Sequence, residues 1–168
     1  MKLYNYASMN FSADQTALLR ARKGLVPGVG LEIDRGAYRH YAIYAPGDTV
    51  IELSASTDGR NKARRIPLKQ FMLNNKAKDV RIYQPLYPKD VVIKRAEAIF
   101  KLKKLPYNLM KNNCEHFMNE IMGGKHYSHQ VDGASCLVNG FLRPIFKANQ
   151  AKSDIKYHKY YTEAFKGL

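Results

Sequence analysis

Tryptophan is absent, and only two cysteines, Cys114 and Cys136, occur among 168 residues. Two cysteines provide no disulfide framework, so a packed core must hold the fold, and a reducing compartment is expected. No apolar run approaches the roughly 18 to 20 residues of a membrane-spanning helix. The longest candidate, Leu137 to Phe146, is broken by Asn139, Gly140, Arg143 and Pro144. The opening Met-Lys-Leu-Tyr-Asn-Tyr lacks the apolar region of a secretory signal, so the expected location is cytoplasmic, with peripheral membrane attachment as an extension of it. Acidic residues are scarce, 14 against 28 Lys and Arg, for a formal charge of +14. That excess anticipates a negatively charged partner without choosing among phospholipid headgroups, nucleic acid and an acidic protein.

What is present argues for one domain with extensions. A hydrophobic content of 45% with 11% aromatics excludes global disorder, and no internal repeat or low-complexity tract is evident. Residues 1–25 hold a short helical pattern from Asp14 to Lys23, stopped by Gly24. From Val26 the pattern changes to strands over Val29–Asp34, Tyr38–Ala45 and Thr49–Leu53, punctuated by Gly36 and Pro46-Gly47-Asp48. Alternation along the middle strand sends His40, Ala42 and Tyr44 to one face and Arg39, Tyr41 and Ile43 to the other.

Residues 54–66 read as a polar loop running into a basic cluster. It lacks the interleaved aromatics that would stack single-stranded nucleic acid, so nucleic acid is not the favoured partner, and a solvated hairpin edge that discourages strand aggregation is the commoner role. Ile66 to Leu73 suggests a helical turn or two, and Asp79 to Gln84 a further strand. Pro88-Lys89-Asp90 then opens a helix through Leu102, with Val92, Ala96, Ile99 and Lys103 along one packing stripe.

The most informative stretch is Tyr107 to Met118. Pro106, Asn112 and Asn113 favour a turn, whereas Phe117, Ile121 and Met122 fall at helical spacing from Cys114. Cys114 is therefore expected to begin a helix, where the free backbone N–H groups would favour thiolate and lower its pKa. For an arbitrary cysteine the commoner role is a small buried hydrophobe.

The run Asn113-Cys114-Glu115-His116-Phe117, preceded by Tyr107-Asn108-Leu109, resembles the cysteine box of the lecithin:retinol acyltransferase family. That family includes the H-Ras-like suppressor phospholipase/acyltransferases and the histidine-box/Asn-Cys proteins of some picornaviruses. His40, Tyr41, Ala42, Ile43, Tyr44 and Gly47 match its histidine box. Tyr87-Pro88-Lys89-Asp90, Arg95-Ala96 and the Ser128, Gln130, Val131 pattern extend the likeness over residues 26–131.

The resemblance implies an α+β, circularly permuted papain-like domain, with a small antiparallel sheet packed on the helix that starts at the cysteine. It further implies Cys114 as nucleophile toward an acyl carbonyl and His40 as its base, acting through an acyl-Cys114 thioester on a lipid or other acyl ester, with no cofactor. One departure stands out: twelve positions after His40, where the family has a second histidine, this chain has Glu52. A carboxylate there can hold the imidazole tautomer and stabilise the imidazolium. Tyr38 is a candidate helper of the oxyanion. A cysteine peptidase or amidase, and a non-catalytic module binding an acidic partner, remain the alternatives.

His116, His126 and His129 form no recognised metal-ligand spacing, so no metal is expected. Residues 132–168 read as a basic, aromatic helical extension. Tyr157, Tyr161 and Phe165 repeat at i, i+4, i+8 amid lysines, a face suited either to covering the core or, across 149–168, to an anionic membrane.

Overall fold

The structure is a computed structural model that describes residues 25–35, 38–54, 62–73, 80–102, 113–130 and 143–168. The expectations for residues 1–24, the loop at 55–61, the first half of the cysteine box at 103–112 and Cys136 lie outside the described residues.

Five strands form one antiparallel sheet. They are β1 (Gly30–Asp34), β2 (Arg39–Ala45), β3 (Thr49–Ser54), β4 (Lys62–Pro67) and β5 (Val80–Tyr83), in the order β4-β3-β2-β1-β5. The helices are α1 (Leu68–Leu73), α2 (Lys89–Phe100), α3 (Cys114–Gly123) and α4 (Arg143–Ala164). This is the α+β arrangement expected, with the sheet packed on the cysteine helix. The basic end of residues 54–66 is strand β4, a hairpin edge as anticipated, which pairs with β3 from Thr49↔Pro67 to Ser54↔Lys62 at one side of the sheet. Arg64 and Arg65 tolerate strand geometry because each finds a carboxylate, Glu52 and Glu97 respectively.

The period-2 alternation splits the core between two faces of the sheet. On one, Tyr41, Ile43, Ala45, Ile51 and Leu53 pack against Val92, Ala96 and Ile99 of α2, and against Cys114, Phe117, Met118, Ile121 and Met122 of α3. On the other, Leu31, Ile33, Ala42, Tyr44 and Val50 meet Leu68, Phe71 and Met72 of α1. The α3 helix lies so close to the sheet that a Cβ at Gly30 would sit 2.5 Å from the Met122 sulfur. The hairpin between β2 and β3 turns through Gly47 and Asp48, both at positive φ (75° and 57°), conformations that Gly and Asp accept more readily than most residues.

The C-terminal aromatics face inward. Tyr161 is fully buried in the α2/α3 core, Phe165 packs beside it, and the Arg95 guanidinium lies over the rings of Tyr87 (4.0 Å) and Phe165 (4.7 Å). Lys152, Lys156 and Lys159 remain exposed on α4, and Lys166 just beyond it.

Candidate active site

Asn113 sets the start of α3. Its backbone is extended, and its side-chain oxygen accepts from the N–H groups of Glu115 (3.0 Å) and His116 (3.1 Å), while the His116 ring reaches back to the Asn113 N–H. The reciprocal cap satisfies three of the donors a helix start leaves open. Cys114 is therefore the first residue of the helix, as its spacing predicts. The expected short apolar face is an understatement, because every residue from Cys114 to Met122 is buried. The polar ones are supported by chain far away in sequence: Glu115 accepts from Ser128 Oγ (2.5 Å) and the Gln130 N–H (3.1 Å), and Asn119 donates to the Tyr127 carbonyl (3.0 Å).

The strand opposite offers an unpaired edge. Pairing between β2 and β3 runs from Ala45↔Thr49 to Ala42↔Glu52 and ends there, whereas β1 stays paired with β2 out to Arg39 and β4 stays with β3 out to Ser54. The sheet thus splits between β2 and β3 beside His40. The Gln130 carboxamide caps the open edge, accepting from the Arg39 N–H (2.8 Å) and donating to the Arg39 carbonyl (3.2 Å). The Cys114 thiol faces the same carbonyl at 3.9 Å, and the backbone N–H groups of Tyr41 and of Cys114 itself point at the sulfur.

His40 is buried, its Nε2 is 2.7 Å from Glu52 Oε2, and its ring lies 5.7 Å from that of Phe71. The other Glu52 oxygen receives a hydrogen bond from Arg64. The structure therefore brings Glu52 to His40, the pairing anticipated from position alone. Burial pushes Glu52 upward, but the hydrogen bonds and charge of His40 and Arg64 outweigh it and hold the carboxyl below its usual range. Burial dominates at His40 and lowers its pKa, so the imidazole is neutral near pH 7 with Nε2–H donating to Glu52. That tautomer leaves Nδ1 with the lone pair.

Cys114 and His40 approach the split edge from opposite faces, the thiol among Tyr41 and Ile43, the imidazole beside Phe71. They make no hydrogen bond to each other among the described contacts. The expected lowering of the thiol pKa is also reversed: burial pushes Cys114 up to about 11, and the nearby N–H groups and Arg35 recover only part of this. The helix-start field acts as anticipated but loses to desolvation. Tyr38 is 47% exposed and its hydroxyl accepts from Arg35 (2.5 Å). Arg64 stands in no motif, whereas Glu115 and Gln130 stand in the cysteine box and in the Ser128, Gln130, Val131 pattern, neither of which singles them out for a role.

A helix-borne cysteine set against a strand that carries a histidine, with the strand first in sequence, defines a permuted papain-like domain. The signature of the family described as Lecithin retinol acyltransferase matches residues 24–127. The chain belongs to that family. It is 35% identical over 138 residues to human "Phospholipase A and acyltransferase 2", covering 70% of this chain and 82% of that protein. Human "Phospholipase A and acyltransferase 3" is 34% identical over 125 residues, 62% of this chain and 75% of the relative. Mouse "Phospholipase A and acyltransferase 5" is 31% identical over 131 residues, of which the match spans only 46%.

Proposed function

We propose that the protein is a thiol-dependent acyltransferase or hydrolase acting on a lipid or other acyl ester through an acyl-Cys114 thioester. The names of its relatives support the reaction class. The observation that carries the residue assignment is the split between β2 and β3, where the Cys114 thiol meets the strand edge that bears the His40–Glu52–Arg64 chain.

In this reading the Cys114 sulfur attacks the ester carbonyl as its proton passes to His40 Nδ1. The tetrahedral oxyanion is held by backbone N–H groups at the start of α3, with Tyr38 as a helper once it exchanges Arg35 for substrate. The imidazolium, stabilised by Glu52, then gives the proton to the leaving alkoxide. A thioester remains, and water or an amine takes the acyl group from it. Because both groups are neutral at rest, the proton moves with attack, and the site acts by general-base catalysis. The step requires the thiol and the imidazole, which face the split from opposite sides, to meet within it. The exposed lysines of α4 supply attraction to an anionic lipid surface, while the inward Tyr161 face fixes the helix to the domain.

The high thiol pKa and the missing Cys114–His40 hydrogen bond favour one competing reading, an interaction module without turnover. Incubation with phosphatidylcholine vesicles and an amine acceptor separates the two. Fatty acid or N-acyl product from the wild type, abolished in Cys114→Ala and in His40→Ala, supports the enzyme. Product formed equally by Cys114→Ala, or by neither protein with any acyl ester, supports the module.

A further inference from the structure

Three side chains outside the β2/β3 split converge where α4 crosses α3. His116 on α3, His126 in the segment after it and Asp154 on α4 each present a ligand atom, all within 4.8 Å of one another. His116 is fully buried; its Nδ1 lies 2.9 Å from Asn113 Oδ1, and its Nε2 is buried with no hydrogen-bond partner. A buried imidazole nitrogen without a partner is costly unless something occupies it. A metal on Nε2 would select the tautomer in which Nδ1–H donates to Asn113 Oδ1 instead of accepting the Asn113 N–H, which is how a ligating histidine is usually held by its outer neighbour.

The surroundings fit the same purpose. The His126 ring stacks on His116 with centroids 4.4 Å apart, and His126 Nδ1 is 3.2 Å from Glu120 Oε1. The same buried Glu120 oxygen lies 2.9 Å from Nδ1 of His158, one helical turn after Asp154. A cleft of about 270 Å³, lined by Gly124, Lys125, His126, Asp154, Ile155 and His158, leads from solvent to the cluster.

We propose that His116, His126 and Asp154 form a transition-metal site, taken by zinc, that fastens α4 to the cysteine helix. Two imidazoles and one carboxylate suit zinc rather than the all-oxygen preference of calcium or magnesium. Tetrahedral zinc with bonds of about 2.0–2.1 Å draws its ligands to about 3.4 Å apart, so binding tightens the cluster by about an ångström. The fourth position is open to water from the cleft. No spacing motif announces the site, because its ligands come from three separate segments. It stands independently of the acyl-transfer reading.

The test uses the full chain, freed of metal by a chelator and titrated with zinc alone by calorimetry, with elemental analysis for stoichiometry and cobalt absorption for the ligand set. The expected result is one zinc per chain, a raised melting temperature, and affinity reduced about tenfold or more in Asp154→Asn and in His126→Gln. Cys114→Ala and His129→Gln should bind as the wild type does. Metal-free melting curves establish that each variant is folded, and Asp154 is only half-buried. Absence of stoichiometric binding at micromolar zinc, affinity unchanged in both Asp154→Asn and His126→Gln, or binding lost in Cys114→Ala would each overturn the proposal.

Discussion

Glu52→Gln isolates the charge of the residue that stands where the family carries a second histidine. The substitution keeps the volume at a side chain that is 2% exposed, so the core around Val50 and Ala42 need not repack. What it removes is a charge-assisted hydrogen bond to His40, together with the partner of Arg64. Hydrogen bonds to charged groups contribute about 1.5–3 kcal/mol. At 1.36 kcal/mol per decade, losing that amount only in the transition state lowers kcat/KM by about 10- to 150-fold. If the new amide turns its NH2 group toward Nε2, the proton is forced onto Nδ1 and the base is blocked. The loss then grows toward about 10⁴-fold, as for a triad held in the wrong tautomer. The assay is steady-state release of fatty acid from an acyl ester, with a melting curve to verify folding. Glu52→His, which restores the family's residue, should recover part of the loss. A folded Glu52→Gln protein within threefold of wild-type kcat/KM would refute the role given to this carboxylate.

Burial and charge set four further outcomes. In a Cys136→Ser background, alkylation of Cys114 by iodoacetamide should show no advantage below pH 8.5 and should climb toward pH 11, since burial raises the thiol pKa; rapid labelling at pH 6 would contradict this. The His40 pKa is lowered and the neutral form is the base, so the acid limb of kcat/KM should lie below pH 6.5, whereas a limb above 6.5 would mean an imidazole charged at rest. Tyr161→Ala should destabilise the fold by about 3–5 kcal/mol, the cost of truncating a fully buried aromatic, while charge reversal at Lys152, Lys156 and Lys159 should weaken binding to anionic vesicles roughly tenfold per residue and leave melting unchanged.

Where local chemistry decided the outcome, the sequence was readable. Alternation placed β1 to β3 within a residue of their ends, Pro46-Gly47-Asp48 made the hairpin, and Asn113 capped the helix that Cys114 begins. Glu52 could be assigned to His40 because it stands at the family's second-histidine position; the register that puts both on one face is supplied by the fold. Readings failed where a distant segment supplied the deciding term. The thiol's environment depends on how deeply α3 is buried, and that burial depends on Ser128, Gln130 and Tyr161, none of which is near Cys114 in the chain. The basic stretch before Ile66 is legible as a hairpin edge, but the partners of its charges, Glu52 and Glu97, are supplied by the fold. The aromatic repeat on α4 was compatible with membrane or core, and only the position of Tyr161 against α2 and α3 distinguishes them.

The central claim is that Cys114 carries the acyl group, and intact-mass measurement of the protein quenched during turnover of an acyl ester tests it most directly. The expected result is a mass increase equal to one acyl chain, released by hydroxylamine, mapped to Cys114, absent from Cys114→Ala and suppressed in His40→Ala. Turnover with no adduct under rapid quench, or an equal adduct on Cys114→Ala, would contradict it.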